Sequence, residues 1–403
     1  MVTGIKILYK MFNLMPVISI LFMTCDTTQN KIPVNFSHVL NLTDTLVIER
    51  DTTAYIWIYA DYPDYQHVKA PGEGIACVDD VGRFIEVLEI ATLEYNRTDF
   101  VPLIRYLTEF ILYMEKDGLW YNFIYEDGSI NKKHINSKLS FNFWAVRAMR
   151  GLAAAYRVQK KYAPESHQIK QIKEVIRRAE KNFTVKGLNK ENVKFFVINE
   201  APDMTSELLL ALIKLHQTGD FNYYPEIVKM AGGLIENQII DNTSELNGMY
   251  FCWENIWHSW GNNQALALLK SYEITKDDRI LSSVKIWADH FIEFVINNHF
   301  PAEIKLKEKQ NYRIEIFPQI AYGITSMYRG MQKFYEIADE EKYKMRAEEL
   351  FGWYRGENIA GVVMYDPETG RCYDGIDKNG INENSGAEST IECLLAILDK
   401  GEF

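Results

Sequence analysis

A chain of 403 residues with 47% hydrophobic content is long enough to bury a full core, and its net charge of −11 includes no basic block. That balance excludes nucleic acid as a partner, since phosphate recognition needs a basic footprint. HExxH, Walker, dinucleotide-fingerprint and nucleophile-elbow motifs are all missing, so the spacing calls for no cofactor and no metal.

Residues 1–24 read as an export signal. Lys6 and Lys10 precede an apolar run (Met15, Val17, Ile18, Ile20, Leu21, Phe22, Met23) too short to cross a bilayer. The Thr24-Cys25 step that ends it resembles a bacterial lipoprotein cleavage site, although Phe22 and Met23 are bulkier than that pattern has. The resemblance implies lipidation at Cys25 and a place in the periplasm or outer membrane, with membrane contact only through that anchor; a plain secretory signal is the alternative. Asp26 to Lys31 is a polar tether. Residues 44–60 are rich in β-branched and aromatic side chains and read as extended, so 26–71 forms a tether and β-type segment. Cys77, Cys252, Cys372 and Cys393 show no CxxC spacing. In an exported chain they either pair or lie buried as free thiols.

From Gly72 to Arg83 a glycine-punctuated turn runs through the adjacent Asp79 and Asp80 into a long apolar helix. One Asp there is accounted for by capping the first N–H groups of a helix beginning at Val81. A second carboxylate beside it is not, and a like-charged neighbour perturbs a pKa. Beyond this point two kinds of helix alternate. Val81–Leu93, Trp144–Tyr156, Leu208–Leu215, Ala265–Leu269 and Ile391–Leu398 are apolar almost all round, whereas Gln168–Phe183 and Glu340–Tyr354 are amphipathic. The first kind is expected inside and the second on a surface.

The apolar helices start near Asp80, Phe141, Asp203, Asn262, Pro318 and Ala387, at spacings of 61, 62, 59, 56 and 69 residues. A period of one helical hairpin plus a loop indicates a repeat architecture. Six inner helices with surface partners would close as a ring over residues 72–403. Five outer partners are evident, so either the segment before Gly72 fills the sixth place or the ring is incomplete. The expected class is all-α, an (α/α)6 toroid with a short β-type N-terminal extension. In repeat number, period and inner/outer contrast the chain resembles the six-hairpin glycosidase-like toroids. The stretches Gly74–Arg83 and Gly118-Leu-Trp-Tyr-Asn-Phe-Ile are similar to helical domains of bacterial carbohydrate-active proteins. The Asp79-Asp80 pair resembles that of α-1,6-mannanases, in which the paired Asp residues are catalytic, while the flanking Cys77-Val78 and Val81-Gly82-Arg83 depart from that family.

With inner helices parallel, the loops entering them converge on one bowl. They carry Glu73, Asp79 and Asp80; His134, Asn142 and Trp144; Glu200, Asp203 and Glu207; Trp253 to Asn263; Glu315, Gln319 and Tyr322; and Glu383 to Thr390. Glycoside cleavage needs one protonated carboxyl and one carboxylate. Asp79 or Asp80 against Glu388 supplies such a pair, with Glu254 as a further candidate and Glu392 one turn after Glu388. Substrate contacts are expected from Glu73, Asn142, Trp144, Glu200, His258, Asn262, Tyr322 and Glu383, and from the indoles of Trp253, Trp257 and Trp260, which suit the C–H face of a sugar. Capping competes as a role for Glu388, Glu200 and Asp203, and core packing for the three Trp. His134, His216 and His290 read as structural or exposed, and Asp374–Asn379 as a turn. The function expected is glycoside hydrolysis of a carbohydrate. A polysaccharide lyase or uronyl epimerase leaning on His258, Tyr322 and Arg329, and a non-catalytic glycan-binding lipoprotein, are the alternatives.

Overall fold

In a computed structural model, residues 32–48, 51–183, 185–190, 193–308 and 311–403 are described. The signal segment and Cys25 lie outside them.

The chain enters through α1 (Ser37–Asn41) and an antiparallel hairpin of β1 (Thr43–Ile48) and β2 (Asp51–Ile56), then β3 (Tyr59–Asp61) paired with β4 (Gln66–Val68). Among the described residues twelve further α-helices follow: α2 (Val78–Leu93), α3 (Val101–Tyr113), α4 (Phe143–Tyr162), α5 (His167–Ala179), α6 (Pro202–Gln217), α7 (Tyr224–Glu236), α8 (Gln264–Thr275), α9 (Asp278–Ile286), α10 (Ile292–Asn297), α11 (Ala321–Ala338), α12 (Glu341–Gly352) and α13 (Ala387–Lys400). A π-helical turn, Trp287–Phe291, joins α9 to α10, so these two make one outer rod.

The inner helices α2, α4, α6, α8, α11 and α13 each pack on the next, and α13 packs back on α2. The ring is closed, an (α/α)6 toroid. Inner helices are buried on nearly every face, as their apolar composition requires. The outer α5 buries the stripe Ile169, Ile172, Val175, Ile176 and Ala179 that its spacing selects, together with Gln168, each large apolar member contributing about 1.5–3 kcal/mol.

Two glycines set the tightest crossing in the ring. A Cβ on Gly82 of α2 would lie 2.5 Å from the Arg147 carbonyl, and one on Gly151 of α4 would lie 2.7 Å from the Gly82 Cα. Bare backbones therefore touch, and Arg147 is carried to the start of α2.

The sixth outer position is taken by the N-terminal segment. Short α1 packs on α13, with Val39 and Leu42 fully buried and His38 Nε2 2.8 Å from the Ser385 carbonyl. Ala387 and Ser385 donate their N–H groups to the Ile58 and Ala60 carbonyls, at 2.9 and 3.1 Å. The extended segment thus laces the ring shut next to Glu388. Cys77, Cys252, Cys372 and Cys393 are all buried free thiols. Asp374–Asn379 is a hairpin turn, and Asp374 accepts from the N–H of Gly386 ahead of α13.

Candidate active site

The first turns of the inner helices meet at one end of the ring. Arg83, on α2, is buried between four carboxyl groups. Its Nε lies 3.2 Å from Asp79 Oδ1 and 3.5 Å from Glu392 Oε1; its Nη1 lies 3.5 Å from Asp80 Oδ1 and 2.6 Å from Glu388 Oε2. Arg147, on α4, reaches the same Asp79 Oδ1 at 3.2 Å and Glu207 of α6 at 3.0 Å. Glu207 also accepts from Asn263 Nδ2 at 2.7 Å and from the Tyr322 hydroxyl at 2.9 Å, and pairs with Arg150. The Tyr322 ring takes both guanidinium groups, Arg83 at 4.4 Å and Arg147 at 4.5 Å from its centroid, an arrangement worth more once water is excluded. All six inner helices, or the residue just before one, contribute, so all six run in the same direction.

Charge counting shows what this cluster holds. Arg150 also pairs with Glu86, Lys214 with Glu86 and Glu89, and Arg157 with Glu89. The connected network contains seven carboxyl groups (Asp79, Asp80, Glu86, Glu89, Glu207, Glu388, Glu392) and five cations (Arg83, Arg147, Arg150, Arg157, Lys214). At the buried members of the network, an imbalance of that sign is relieved by retaining protons. Burial drives Asp80 up to about 7 against the pull of Arg83, with Asp79 and Glu388 adding to the rise. Glu392 also rises to about 7, through burial opposed by Arg83 and Arg147 and helped by Glu388. Burial would likewise raise Glu86, but Arg150 and Lys214 hold it below the usual carboxylate range.

Exposure divides the carboxyls further. The Glu388 side chain is 41% exposed and that of Asp79 25%, while Asp80 and Glu392 lie beneath them. Neither Asp caps α2, contrary to the sequence expectation: the helix begins at Val78, and Cys77 is its N-cap, its sulfur accepting the Asp80 N–H at 3.4 Å. Cys77 also donates to Asp80 Oδ2 at 3.2 Å. Tyr59, which sequence reading passed over, covers Gly386 beside this cluster. Burial and the surrounding Glu73, Asp80, Asp374 and Glu388 push its phenol up to about 12.

The aromatic loop ahead of α8 splits in two. Trp260 is 42% and Trp253 47% exposed, both available as platforms. Trp257 is fully buried against Phe291, and Trp144 is buried with its Nε1 donating to the Trp120 carbonyl at 2.7 Å. Those two indoles are core, correcting the expected substrate role. Trp260 stacks on the buried His258 at 3.6 Å between centroids and leans on Phe143, while Gly261 brings the loop against Phe143 and the Tyr322 hydroxyl. His258 Nδ1 meets the Trp260 carbonyl at 2.5 Å, which can only accept, so that nitrogen carries hydrogen; Nε2 faces Asp203 Oδ2 at 3.0 Å. Burial would lower this imidazole, but Cys252 and Asp203 outweigh it and raise it to about 10. Asp203 is itself raised by burial, against the hydrogen bond from His258. Both ring nitrogens are engaged, so His258 has no free nitrogen with which to act as a base.

The remaining expected residues are spread around the rim. Asn142 caps α4 through the Phe143 N–H at 2.8 Å. Glu73 lies 3.9 Å from His134 Nδ1. Glu200 and Glu254 are exposed on turns at positive φ, and Glu383 is exposed in the loop before α13. Asn262 is buried, and its Nδ2 has no hydrogen-bond partner among the described residues. Arg329 departs from expectation altogether. It pairs with Asp399 at 2.5 Å and lines a cavity of about 570 Å³ at the opposite end of the ring, formed by the C-terminal halves of the inner helices. Sequence reading did not single out Arg83, Arg147 or Arg150. Their signal was present: a cation inside a helix apolar on all faces has to be paired.

The fold places the chain among (α/α)6 toroids of the six-hairpin kind. No family model matches the chain, and no curated protein matches its sequence significantly. Similar solved structures include a cellobiose 2-epimerase from Spirochaeta thermophila, at 13% identity and TM-score 0.62, covering 90% of this chain and 92% of that one. A D-mannose isomerase matches at 10% identity and TM-score 0.61 over 86% and 91% of the two chains. A family 76 glycoside hydrolase from a bovine Bacteroides thetaiotaomicron strain matches at 15% identity and TM-score 0.52, over 86% and 73%. At these identities the likeness concerns the fold.

Proposed function

We propose that the chain is a carbohydrate-active enzyme, a glycoside hydrolase in which Asp80 is the proton-holding acid and Glu388 the carboxylate that attacks the anomeric carbon. The observation that carries this reading is the placement of both groups on one guanidinium nitrogen: Arg83 Nη1 lies 3.5 Å from Asp80 Oδ1 and 2.6 Å from Glu388 Oε2. Those oxygens are therefore at most about 6 Å apart. Carboxyl groups ~5–5.5 Å apart retain configuration and those ~6.5–9.5 Å apart invert it, and a bound of about 6 Å on this oxygen pair is compatible with retention. Asp80, with its pKa near 7, keeps a proton for the leaving oxygen at neutral pH. Glu388 forms the glycosyl–enzyme bond as that oxygen departs; Asp80 then takes a proton from the water that releases the sugar. Asp79, held by Arg83 and Arg147, keeps both guanidinium groups in place. Trp260 offers a face for a sugar ring. The names of the three solved proteins of like fold are those of enzymes acting on saccharides, which supports that substrate class. His258, with both nitrogens engaged, and Arg329, at the far end, weaken the lyase and uronyl-epimerase alternative.

The test is product chemistry on a panel of oligo- and polysaccharides. New reducing ends with retained anomeric configuration, lost by ~10²–10⁴ in Glu388→Gln and Asp80→Asn, are expected. An unsaturated chromophore, an epimerised product or simple binding without turnover would each overturn the reading. We further propose export with a lipid anchor at Cys25, supported by the basic–apolar–Cys order of residues 6–25. Mass spectrometry of the mature protein should find acylated Cys25 at the N-terminus, and an intact Met1 would refute it.

A further inference from the structure

We propose that Asp203, Cys252 and His258 are ligands of a structural divalent transition-metal site of the zinc class, completed by the side-chain oxygen of Gln264. Asp203 stands in the first turn of α6, and the other three belong to the loop leading into α8 and to that helix's first residue. One donor atom from each of Asp203, Cys252 and His258 lies within 4.8 Å of the others, and all three residues are buried. Zinc takes thiolate, imidazole and carboxylate donors at about 2.0–2.3 Å. Around a tetrahedral ion those lengths set ligands roughly 3.3–3.7 Å apart, so small side-chain adjustments close the site.

The surroundings are those a metal site needs. His258 Nδ1 is committed to the Trp260 carbonyl at 2.5 Å, which turns Nε2 inward; metal-bound histidines are oriented in this way. Asp203 Oδ1 accepts the Met204 N–H at 2.6 Å, leaving Oδ2 toward His258. Two N–H groups approach Cys252 Sγ, the main chain of His258 at 3.5 Å and Gln264 Nε2 at 3.6 Å. Without an ion, the thiol is placed to donate to the His258 carbonyl at 3.4 Å.

An independent observation points the same way. Gln264 is fully buried beside Cys252, yet its Oε1 has no hydrogen-bond partner among the described residues. A stranded buried oxygen calls for a donor or a cation. One thiolate and one carboxylate also balance a divalent ion, so the filled site brings no net charge into the core. With no exposed position left, the ion is structural. It pins the first turn of α6, one turn before Glu207, to the loop that presents Trp260 and Asn263.

The experiment uses the full chain, stripped with a chelator and then given zinc or cobalt(II) before free metal is removed by gel filtration. About one ion per chain, a higher Tm, and a tetrahedral cobalt spectrum with a thiolate charge-transfer band are expected. Cys252→Ser should abolish that band. Gln264→Leu, which keeps the volume, should weaken cobalt affinity about 10–100-fold. No retained ion, or a cobalt spectrum without the thiolate band in the wild-type chain, overturns the proposal even if Cys252→Ser fails to fold. Undiminished retention in a folded Cys252→Ser places the ion elsewhere and overturns it as well, and an unchanged affinity in Gln264→Leu removes the fourth ligand.

Discussion

Replacing Asp80 with Asn and Glu392 with Gln should flatten the pH dependence of stability between about pH 4.5 and 7. Burial lifts Asp80 from 3.8, and Glu392 from 4.5, to about 7 each. Both folded-state values are raised, so the stabilisation is fully present below the unfolded pKa values and is lost as pH rises through 7. In that window the native chain holds two protons that the unfolded chain has released. Stability then falls by up to about 2.7 kcal/mol per pH unit, half from each group. Across the window this is about 4 kcal/mol for Asp80 and about 3 kcal/mol for Glu392. Glu86, whose pKa is lowered, acts with the opposite sign and below the window, so it does not mask the effect. Asp203 and Asp374 are raised by burial and add to the wild-type slope. The informative quantity is therefore the difference between wild type and variant. Urea unfolding followed by circular dichroism at intervals from pH 5 to 8 measures it. Each single variant should lose about 1.4 kcal/mol per pH unit of slope and gain relative stability at pH 8. Variants that keep the wild-type slope would show that neither carboxyl holds a proton in the folded state.

Trp260→Ala should weaken saccharide binding up to about tenfold, the scale of one aromatic contact, while kcat stays within a few-fold; calorimetric titration against the cleaved glycan checks it, and unchanged affinity removes the platform. Gly151→Ala gains up to ~1 kcal/mol of helix propensity, but its Cβ would sit 2.7 Å from the Gly82 Cα, and overpacking by ~1–3 kcal/mol or more should win. A Gly151→Ala chain as stable as wild type in urea would mean that α2 and α4 cross farther apart. Arg147→Met leaves Asp79 short of a partner and Glu207 with Arg150 as its remaining cation, and should cost about 3–5 kcal/mol. Arg329→Met, at the opposite mouth, should leave turnover intact.

Fold was the more legible half of the sequence. All-round apolar helices at a near-constant period can only be the inner wall of a repeat, and α5 buries the stripe its spacing selects. Closure of the ring by the segment before Gly72 was one of two alternatives left open, and the helix Ser37–Asn41 that makes it was not legible, because a five-residue helix carries no periodicity to detect. At the site, Asp79, Asp80 and Glu388 were drawn together as topology required. The error over capping came from placing the helix start at Val81, when Cys77, a weak sulfur acceptor, serves as N-cap. Trp144 and Trp257 were misassigned because a Trp run names candidates for a platform without stating which faces are buried. Asp203, Cys252 and His258 escaped any metal motif because two of them are six residues apart and the third arrives from another hairpin.

Helix dipoles account for part of this arrangement and leave the rest to function. Six aligned N-termini favour negative charge at one mouth, and six C-termini favour cations at the other. Asp79, Asp80, Asp203 and Glu388 stand in first turns. The dipoles thus favour acidic side chains at that mouth. They do not explain two carboxyls beyond the number that the network's cations neutralise, both beneath the partly exposed Asp79 and Glu388. Stability alone would replace them, since apolar residues of similar volume in a buried ionic cluster are often neutral or better by ~1–4 kcal/mol. A role in chemistry gives a reason to retain them: a buried carboxyl near pKa 7 next to a partly exposed carboxylate holds a proton ready for a reacting oxygen.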